Sequence, residues 1–328
     1  MSRAEFKVSV IIPVYNAAHY VRQAVESAVA LPEVGEAILV EDASPDNALD
    51  VCRQLEREYG KVRLFRHPDG GNHGAGASRN LGMEKARCEF IAFLDADDYY
   101  LPKRFVRDRE ILLADGSVDG VYNGVGTEYE SAEARKRFLD AGYGYQEFLT
   151  VSAPVAAEEL IEVLFGCHPT GHGEFCTDGI TFRKALLRRT GAFNTNLRLR
   201  QDIHLWRRMA AVGRLLPGAI ERPVAMRRIH DDNRMTDPAQ REKYQDYCWE
   251  DLRSWFRQSG VPRRAREAFE RAYCEYRVQS RPKWERRRAL LAYTLRHPRL
   301  ISRPMGFFDL NLFQAFGRNW WTLHATSF

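Results

Sequence analysis

The sequence predicts an α/β fold, a mostly parallel sheet flanked by helices, with a helical C-terminal extension. Three observations predict it. Short β-branched apolar runs alternate with stretches of helical periodicity from residue 8 to residue 95, the pattern of βαβ units. Each run ends in polar or glycine-rich residues, as strands do when they present a ligand-binding rim. The charge then changes along the chain. Residues 1–240 hold 31 Lys/Arg and 35 Asp/Glu, a balance of −4, whereas residues 241–328 hold 18 against 9, a balance of +9. The expected division is an α/β domain over 1–235 and a basic, mostly helical extension over 236–328.

The elements follow in order. "VSVIIPVY" (8–15) is a buried parallel strand, and "AAHYVRQAVESAVAL" (17–31) is a helix with Asn16 as its expected N-cap. Strand "AILVED" (37–42), helix "NALDVCRQLEREYG" (47–60) and strand "VRLFRH" (62–67) come next. The loop "PDGGNHGAG" (68–76) leads to helix "ASRNLGMEKAR" (77–87) and strand "FIAFLD" (90–95). Beyond these, "DGVYNGVGTEYE" (119–130) reads as one strand running into a loop, and "EELIEVLFG" (158–166) as a helix. "CHPTGHGEFCTDG" (167–179) is a loop, and "ITFRKALLRRTGAF" (180–193) is a strand–helix step ending at Gly191. "QDIHLWRRMAAVG" (201–213) is an amphipathic helix with Ile203, Trp206, Met209 and Ala210 on one side, and "AIERPVAMRRIH" (219–230) is a strand.

Composition narrows the class. The first residues lack a cleavage site and a long apolar core, and no stretch approaches the roughly 18 apolar residues of a spanning helix. The six cysteines are scattered, which fits reduced thiols in a cytoplasmic protein. The basic segment 281–304 interleaves Trp, Leu and Tyr with Arg. It reads as a helix packed on the domain, with peripheral contact at the inner face of the plasma membrane as the other reading. No nucleic-acid module is visible, so nucleic acid is not an expected partner.

The chemistry gathers at strand ends. Asp95, Asp97 and Asp98 fall within four positions after an apolar run, where mutual repulsion calls for a cation or a solvated turn. With Glu41 and Asp42 on the same rim, the cluster suits a hard divalent cation, Mn2+ or Mg2+, bridging a diphosphate. "PVYNAAHY" lacks the Gly-x-Gly-x-x-Gly of dinucleotide-binding dehydrogenases, and "GNHGAG" lacks both that spacing and the Gly-Lys-Ser/Thr of a P-loop. Cys167, His168, His172 and Cys176 are individually zinc-competent, but their spacing matches no common zinc motif. Taken singly, Asp42 reads as a turn residue, Arg79 as a surface or salt-bridge residue, and His230 equally as a ligand or a satisfied surface histidine.

As an ordered set, "VSVIIPVYNAAHYVRQAVESAV", "ILVEDASPDN", "GAGASRNLGMEKARCEFIAFLDADDYYLP", "RQDIHLWRRMAAVG" and "MRRIH" resemble the inverting nucleotide-sugar glycosyltransferases of family 2, which have the GT-A fold. The resemblance implies that Pro13, Tyr15 and Asn16 lie beside the nucleotide and that Asp42 binds the base, with Ser44 nearby. Arg79 would lie near the diphosphate. Asp95, with Ala96 next to it, would contact the ribose, and Asp97 and His230 would hold the metal. It assigns the catalytic base to Asp202, whose helix-start position also suits an N-cap. Asp98, His168, His172 and Gln201 would line the sugar or acceptor pocket. Two departures stand out: Glu41-Asp42-Ala43-Ser44 replaces the family's Asp-Asp-Gly-Ser, and Gln201 replaces the Glu of its Glu-Asp pair.

The implied reaction is metal-dependent, inverting transfer from a nucleoside-diphosphate sugar, a UDP-sugar first, to a glycan or glycolipid acceptor in cell-surface polysaccharide or glycolipid synthesis. The rival from another class is a non-catalytic nucleotide-binding scaffold, which Gln201 keeps open. A nucleotidyltransferase ranks below both, because the N-terminal glycine-rich signature and lysine of that reaction are missing.

Overall fold

The computed structural model describes residues 5–140, 147–230, 238–258 and 260–280. The expected basic helix at 281–304 lies outside them. The first half runs β1 (Val8–Val14), α1 (Val21–Val29), β2 (Val34–Glu41), α2 (Ala48–Glu58), β3 (Val62–Arg66), α3 (Ala75–Lys85) and β4 (Phe90–Phe93). There follow β5 (Tyr99–Tyr100), α4 (Val106–Ala114), β6 (Gly120–Tyr122), β7 (Gly124–Tyr129), α5 (Ala132–Asp140) and β8 (Phe148–Leu149). The second half holds α6 (Leu160–Leu164), β9 (Ile180–Arg183), α7 (Leu187–Thr190), α8 (Gln201–Val212), β10 (Leu215–Pro217) and β11 (Pro223–Ile229), then α9 (Pro238–Phe256) and α10 (Arg263–Gln279).

The main sheet has seven strands in the order β10-β6-β9-β4-β1-β2-β3, all parallel except β9. The chain winds outward from β1 to β3 and then returns to β1's other side as β4. That reversal opens a crevice at the carboxyl ends of β1 and β4. Both faces are covered, which explains the unbroken apolar runs. Val8, Val10, Ile12 and Val14 join one core cluster, and Ile11, between them, joins the other. Helix α3 lies so close to β1 that a Cβ on Gly82 would come within 2.4 Å of the Ile11 side chain.

Several expectations need correction. Asn16 is not an N-cap: it has φ 52°, and α1 begins five residues later. The turn before α1 is braced from another loop, by Asp46 Oδ2 accepting the Ala18 N–H at 2.8 Å. The single strand expected at 119–130 is two strands in different sheets. Asn123 makes the change: its buried amide donates to Asp108 and to the Gly179 carbonyl, and its Oδ1 accepts the Ala219 N–H. β7 and β11 therefore belong to a second, four-stranded sheet, ordered β5-β11-β7-β8. Helix α3 starts two residues early, because Ala75 and Gly76 form its first turn.

Helix α8 is buried over more of its surface than its sequence suggests. Ile203 is only half-buried, whereas His204 and Arg208 are inside. The reason is packing from two directions. Arg208 donates to the Thr190 and Ala192 carbonyls at 2.5 and 2.6 Å, and His204 Nε2 lies 2.8 Å from Asp251 Oδ2 on α9. Helices α9 and α10 complete the larger core cluster. Phe256 and Phe269 stack at 4.6 Å, and Arg207 of α8 lies between Phe165 and Trp249 at 4.8 and 5.0 Å. Among the described residues no helix is long and apolar enough to cross a membrane.

Candidate active site

The crevice between β1 and β4 collects the residues singled out in the sequence. Asn16 and Ala43, at the ends of β1 and β2, both have left-handed backbone, with φ 52° and 57°. Ser44 Oγ lies between these strand ends, donating to the Val14 carbonyl at 3.4 Å and accepting the Asn16 N–H at 3.3 Å. Pro13 pairs with Val40 in the sheet, and Tyr15 stands 42% exposed at the rim.

Asp42 is buried, and its carboxylate holds the glycine loop. It accepts the N–H groups of His73 and Gly74, both at 2.7 Å, and the Asn72 amide at 3.0 Å. Asn72 also binds Arg198 Nη1, on the approach to α8, at 3.3 Å. The glycines serve a close approach between protein segments. A Cβ on Gly74 would lie 2.3 Å from Arg198 Nη1, and one on Gly76 would lie 2.1 Å from Gln201 Oε1.

Across the crevice, Arg79 is buried with its Nη2 2.5 Å from Asp95 Oδ1, and its guanidinium lies 5.5 Å from the Phe193 ring. Burial opposes its charge, but Asp95, Asp202 and Asp178 more than offset that, so it is held more firmly charged than usual. Among the described residues its buried Nε has no hydrogen-bond partner. Asp97 Oδ2 lies 3.2 Å from His230 Nε2, and the His230 ring packs on Tyr20 at 4.7 Å. Ala96 is buried, with its methyl in the core.

Asp98 behaves differently from its neighbours. It is buried and accepts the Arg228 N–H at 2.7 Å. Burial first, then the charges of Asp178, Asp97 and Asp95, hold its carboxyl well above the usual range. Asp98 thus ties its own turn to β11, and α4 begins eight residues later. His168 is also structural. Its Nδ1 accepts the Gly171 N–H at 2.7 Å, bracing its own turn, and its side chain is 9% exposed. His172 is exposed at the edge of the loop, where its N–H donates to Ser152 Oγ at 3.0 Å. The four zinc-competent residues at 167–176 do not form a ligand cluster among the described residues.

Sequence reasoning missed Asp178. One oxygen from each of Asp95, Asp98 and Asp178 lies within 4.8 Å of the others, and Asp178 Oδ1 accepts the Asp95 N–H at 2.9 Å. Asp178 precedes β9, and because β9 is antiparallel, its beginning meets the carboxyl ends of the parallel strands. A strand-end rule that assumes every strand runs the same way passes over it.

Asp202 lies in the first turn of α8, one position inside Gln201, and the N-cap is Arg200 with φ 61°. Among the described residues its carboxylate makes no hydrogen bond or ion pair, so it is not a cap. An unengaged acid beside the crevice can accept a proton.

Known proteins share both the sequence and the fold. The model of glycosyl transferase family 2 matches residues 9–148. The succinoglycan biosynthesis protein ExoU of Rhizobium meliloti is 34% identical over 109 residues, covering 33% of this chain and 30% of ExoU. The chain spans about half or less of the length of the first curated relatives it matches. Two solved structures share the fold. Staphylococcus aureus TarS 1–349 in complex with UDP-GlcNAc has TM-score 0.58 and 17% identity over 87% of this chain and 79% of that one. The mannosyltransferase PcManGT of Pyrobaculum calidifontis in complex with GDP-Man and Mn2+ has TM-score 0.56 and 18% identity over 95% of this chain and 79% of that one. Residues 9–148 thus resemble glycosyltransferase family 2 in sequence, and the chain shares the fold of these two transferases.

Proposed function

We propose that the protein is a metal-dependent, inverting glycosyltransferase that moves a sugar from a nucleoside-diphosphate sugar to an acceptor hydroxyl. The observation that carries this reading is the opposition across one crevice of the Arg79–Asp95 pair and the unengaged carboxylate of Asp202. Pro13, Tyr15, Asn16 and Ser44 form the wall on which the nucleotide rests, and Asp42 holds the loop that meets the base. Arg79, with one buried N–H unpartnered, faces the diphosphate. Asp202 takes the proton of the acceptor hydroxyl as that oxygen attacks the anomeric carbon from the face opposite the diphosphate, which inverts the centre.

Asp97 and His230 fit a resident Mn2+ or Mg2+. Their 3.2 Å separation is close to the roughly 3 Å between adjacent ligands that each lie about 2.1 Å from an octahedral ion. When bound, the ion neutralises charge developing on the departing diphosphate. The likeness to ExoU supports a product in cell-surface polysaccharide or glycolipid synthesis, and the complexes of TarS and PcManGT support UDP- or GDP-linked donors, a UDP-sugar first. The expected site of action is the cytoplasmic side, with peripheral contact through the basic extension over 236–328.

A panel of nucleotide-sugars with and without EDTA tests donor and metal together. Transfer should appear with one donor and vanish when metal is removed, whereas undiminished transfer in EDTA would refute the metal assignment. Asp202→Asn should lower transfer by about 10²–10⁴-fold, the range for a lost general base. One observation favours a donor-binding scaffold instead: Gln201 stands where the family has an acid. Donor binding without transfer under every condition would support that reading.

A further inference from the structure

We infer that Asp251 of α9 is a positioning residue for the proton-transfer step, holding the first turn of α8 where Asp202 can reach the acceptor. The inference rests on the glycosyltransferase reading above. That turn is not held by its own sequence. Arg200, the N-cap, has left-handed backbone with φ 61°, and among the described residues no side chain caps the helix. Strained backbone of this kind persists only where the surroundings impose it. The His204 N–H donates to the Arg200 carbonyl at 3.0 Å and so closes the turn around Asp202.

Two parts of the molecule grip this start of α8. On one side is the glycine loop, where Asn72 meets Arg198 and Gly76 leaves room for Gln201. On the other is α9. Tyr247 Oη accepts from Asn196 Nδ2 at 3.2 Å, and Gln245 Oε1 accepts from Arg200 Nη2 at 3.0 Å. Asp251 Oδ2 lies 2.8 Å from His204 Nε2. The residues held, Asn196, Arg200 and His204, bracket Asp202 along the chain. Asp251 makes the innermost of these contacts. His204 is 1% exposed, and among the described residues its Nδ1 has no hydrogen-bond partner, so Asp251 fixes the ring. Hydrogen bonding from His204 first, and also from Asn194, holds the Asp251 carboxyl below its ordinary range. One carboxylate thus ties both ends of the segment 194–204. A small misplacement of a catalytic group is costly to rate, so loosening this turn should slow the chemistry. Asp251 acts through α8, away from the wall of β1 and β2 on which the nucleotide rests, so donor affinity should not change.

In the full chain, Asp251→Ala should lower kcat about tenfold, counted per mole of UDP bound, and leave the KM for the UDP-sugar unchanged. Asp251→Asn keeps an oxygen facing His204 and should retain roughly half of kcat or more. Gln245→Ala cuts only the contact to Arg200. It should show the same split at a few-fold, and it decides the matter if Asp251→Ala does not fold. Unchanged kcat in a folded alanine variant, or a donor KM that rises with the loss, overturns the inference. Hydrogen exchange needs no donor and separates this failure from that of the functional reading. In Asp251→Ala the His204 amide should exchange about tenfold faster, while amides of β1 and β4 keep their wild-type rates. An unmoved His204 amide, or equal acceleration everywhere, overturns the positioning role. A loosened α8 without transfer from any donor would overturn the functional reading and leave the grip of α9 standing.

Discussion

Ala43 carries a cost that the family's glycine avoids. An L-residue in left-handed backbone is disfavoured by roughly 1–2 kcal/mol, and Ala43 sits there at φ 57°. Ala43→Gly should therefore stabilise the protein by about 1 kcal/mol in urea denaturation, even though glycine is more flexible when unfolded. A second residue-scale prediction comes from Asp178, whose carboxyl burial and the Asp95 charge raise above the ordinary value. Its folded pKa lies above its unfolded one, so the folded state binds more protons between the two values. Stability consequently falls as pH rises from about 4 through the raised pKa. Asp178→Asn keeps an oxygen to accept the Asp95 N–H and removes the charge. In metal-free buffer it should gain on the order of 1–3 kcal/mol at pH 7.5 and nothing at pH 3.5. Equal effects at both pH values would count against the electrostatic account.

At the scale of elements, α3 tests packing against propensity. Replacing a mid-helix glycine by alanine ordinarily gains about 1 kcal/mol. Gly82→Ala should do the opposite and cost about 1–3 kcal/mol, because the new methyl meets Ile11 in a filled core. Gly76→Ala presses only on the flexible end of Gln201, so the fold should survive within about 1 kcal/mol while kcat falls as the start of α8 shifts. Thermal melts and transfer assays on the same samples would separate the two. The elements themselves were largely legible: β1, β2, β3 and β4 follow from β-branched runs, and Gly191 ends α7 at φ 71°. The break at Asn123 was not, because one polar residue in an apolar run does not announce a change of sheet.

For the whole molecule, the extension is the open question that the sequence raised. Its described helices α9 and α10 share a core cluster with α6 and α8 and bury Trp249, Leu252, Phe256 and Phe269. Phe256→Ala should cost about 3–5 kcal/mol. A chain ending at residue 235 would expose Phe165 and part of α8, and it should aggregate or bind a hydrophobic dye rather than fold as an independent unit. A monomeric, cooperatively melting truncation would show that the α/β part stands alone. The same packing ties function to the extension, since Asp251 of α9 holds His204, two residues beyond Asp202 on α8.

By itself, the sequence determined the parallel α/β architecture and the strand-end acids Asp42, Asp95 and Asp97, while Asp202 came from the resemblance alone. These are local facts: periodicity fixes an element, and an acid at a strand's end lies on the rim whatever surrounds it. Only the tertiary structure decided which acids are buried and what each of them meets. Asp98 and Asp97 are adjacent in sequence, yet one is buried and hydrogen-bonded to the β11 backbone while the other meets His230. Tertiary structure also brought Asp178 to the crevice from a loop whose sequence does not single it out. Charge state depends on burial and on neighbours distant in the chain, and neither is written in any one stretch of it.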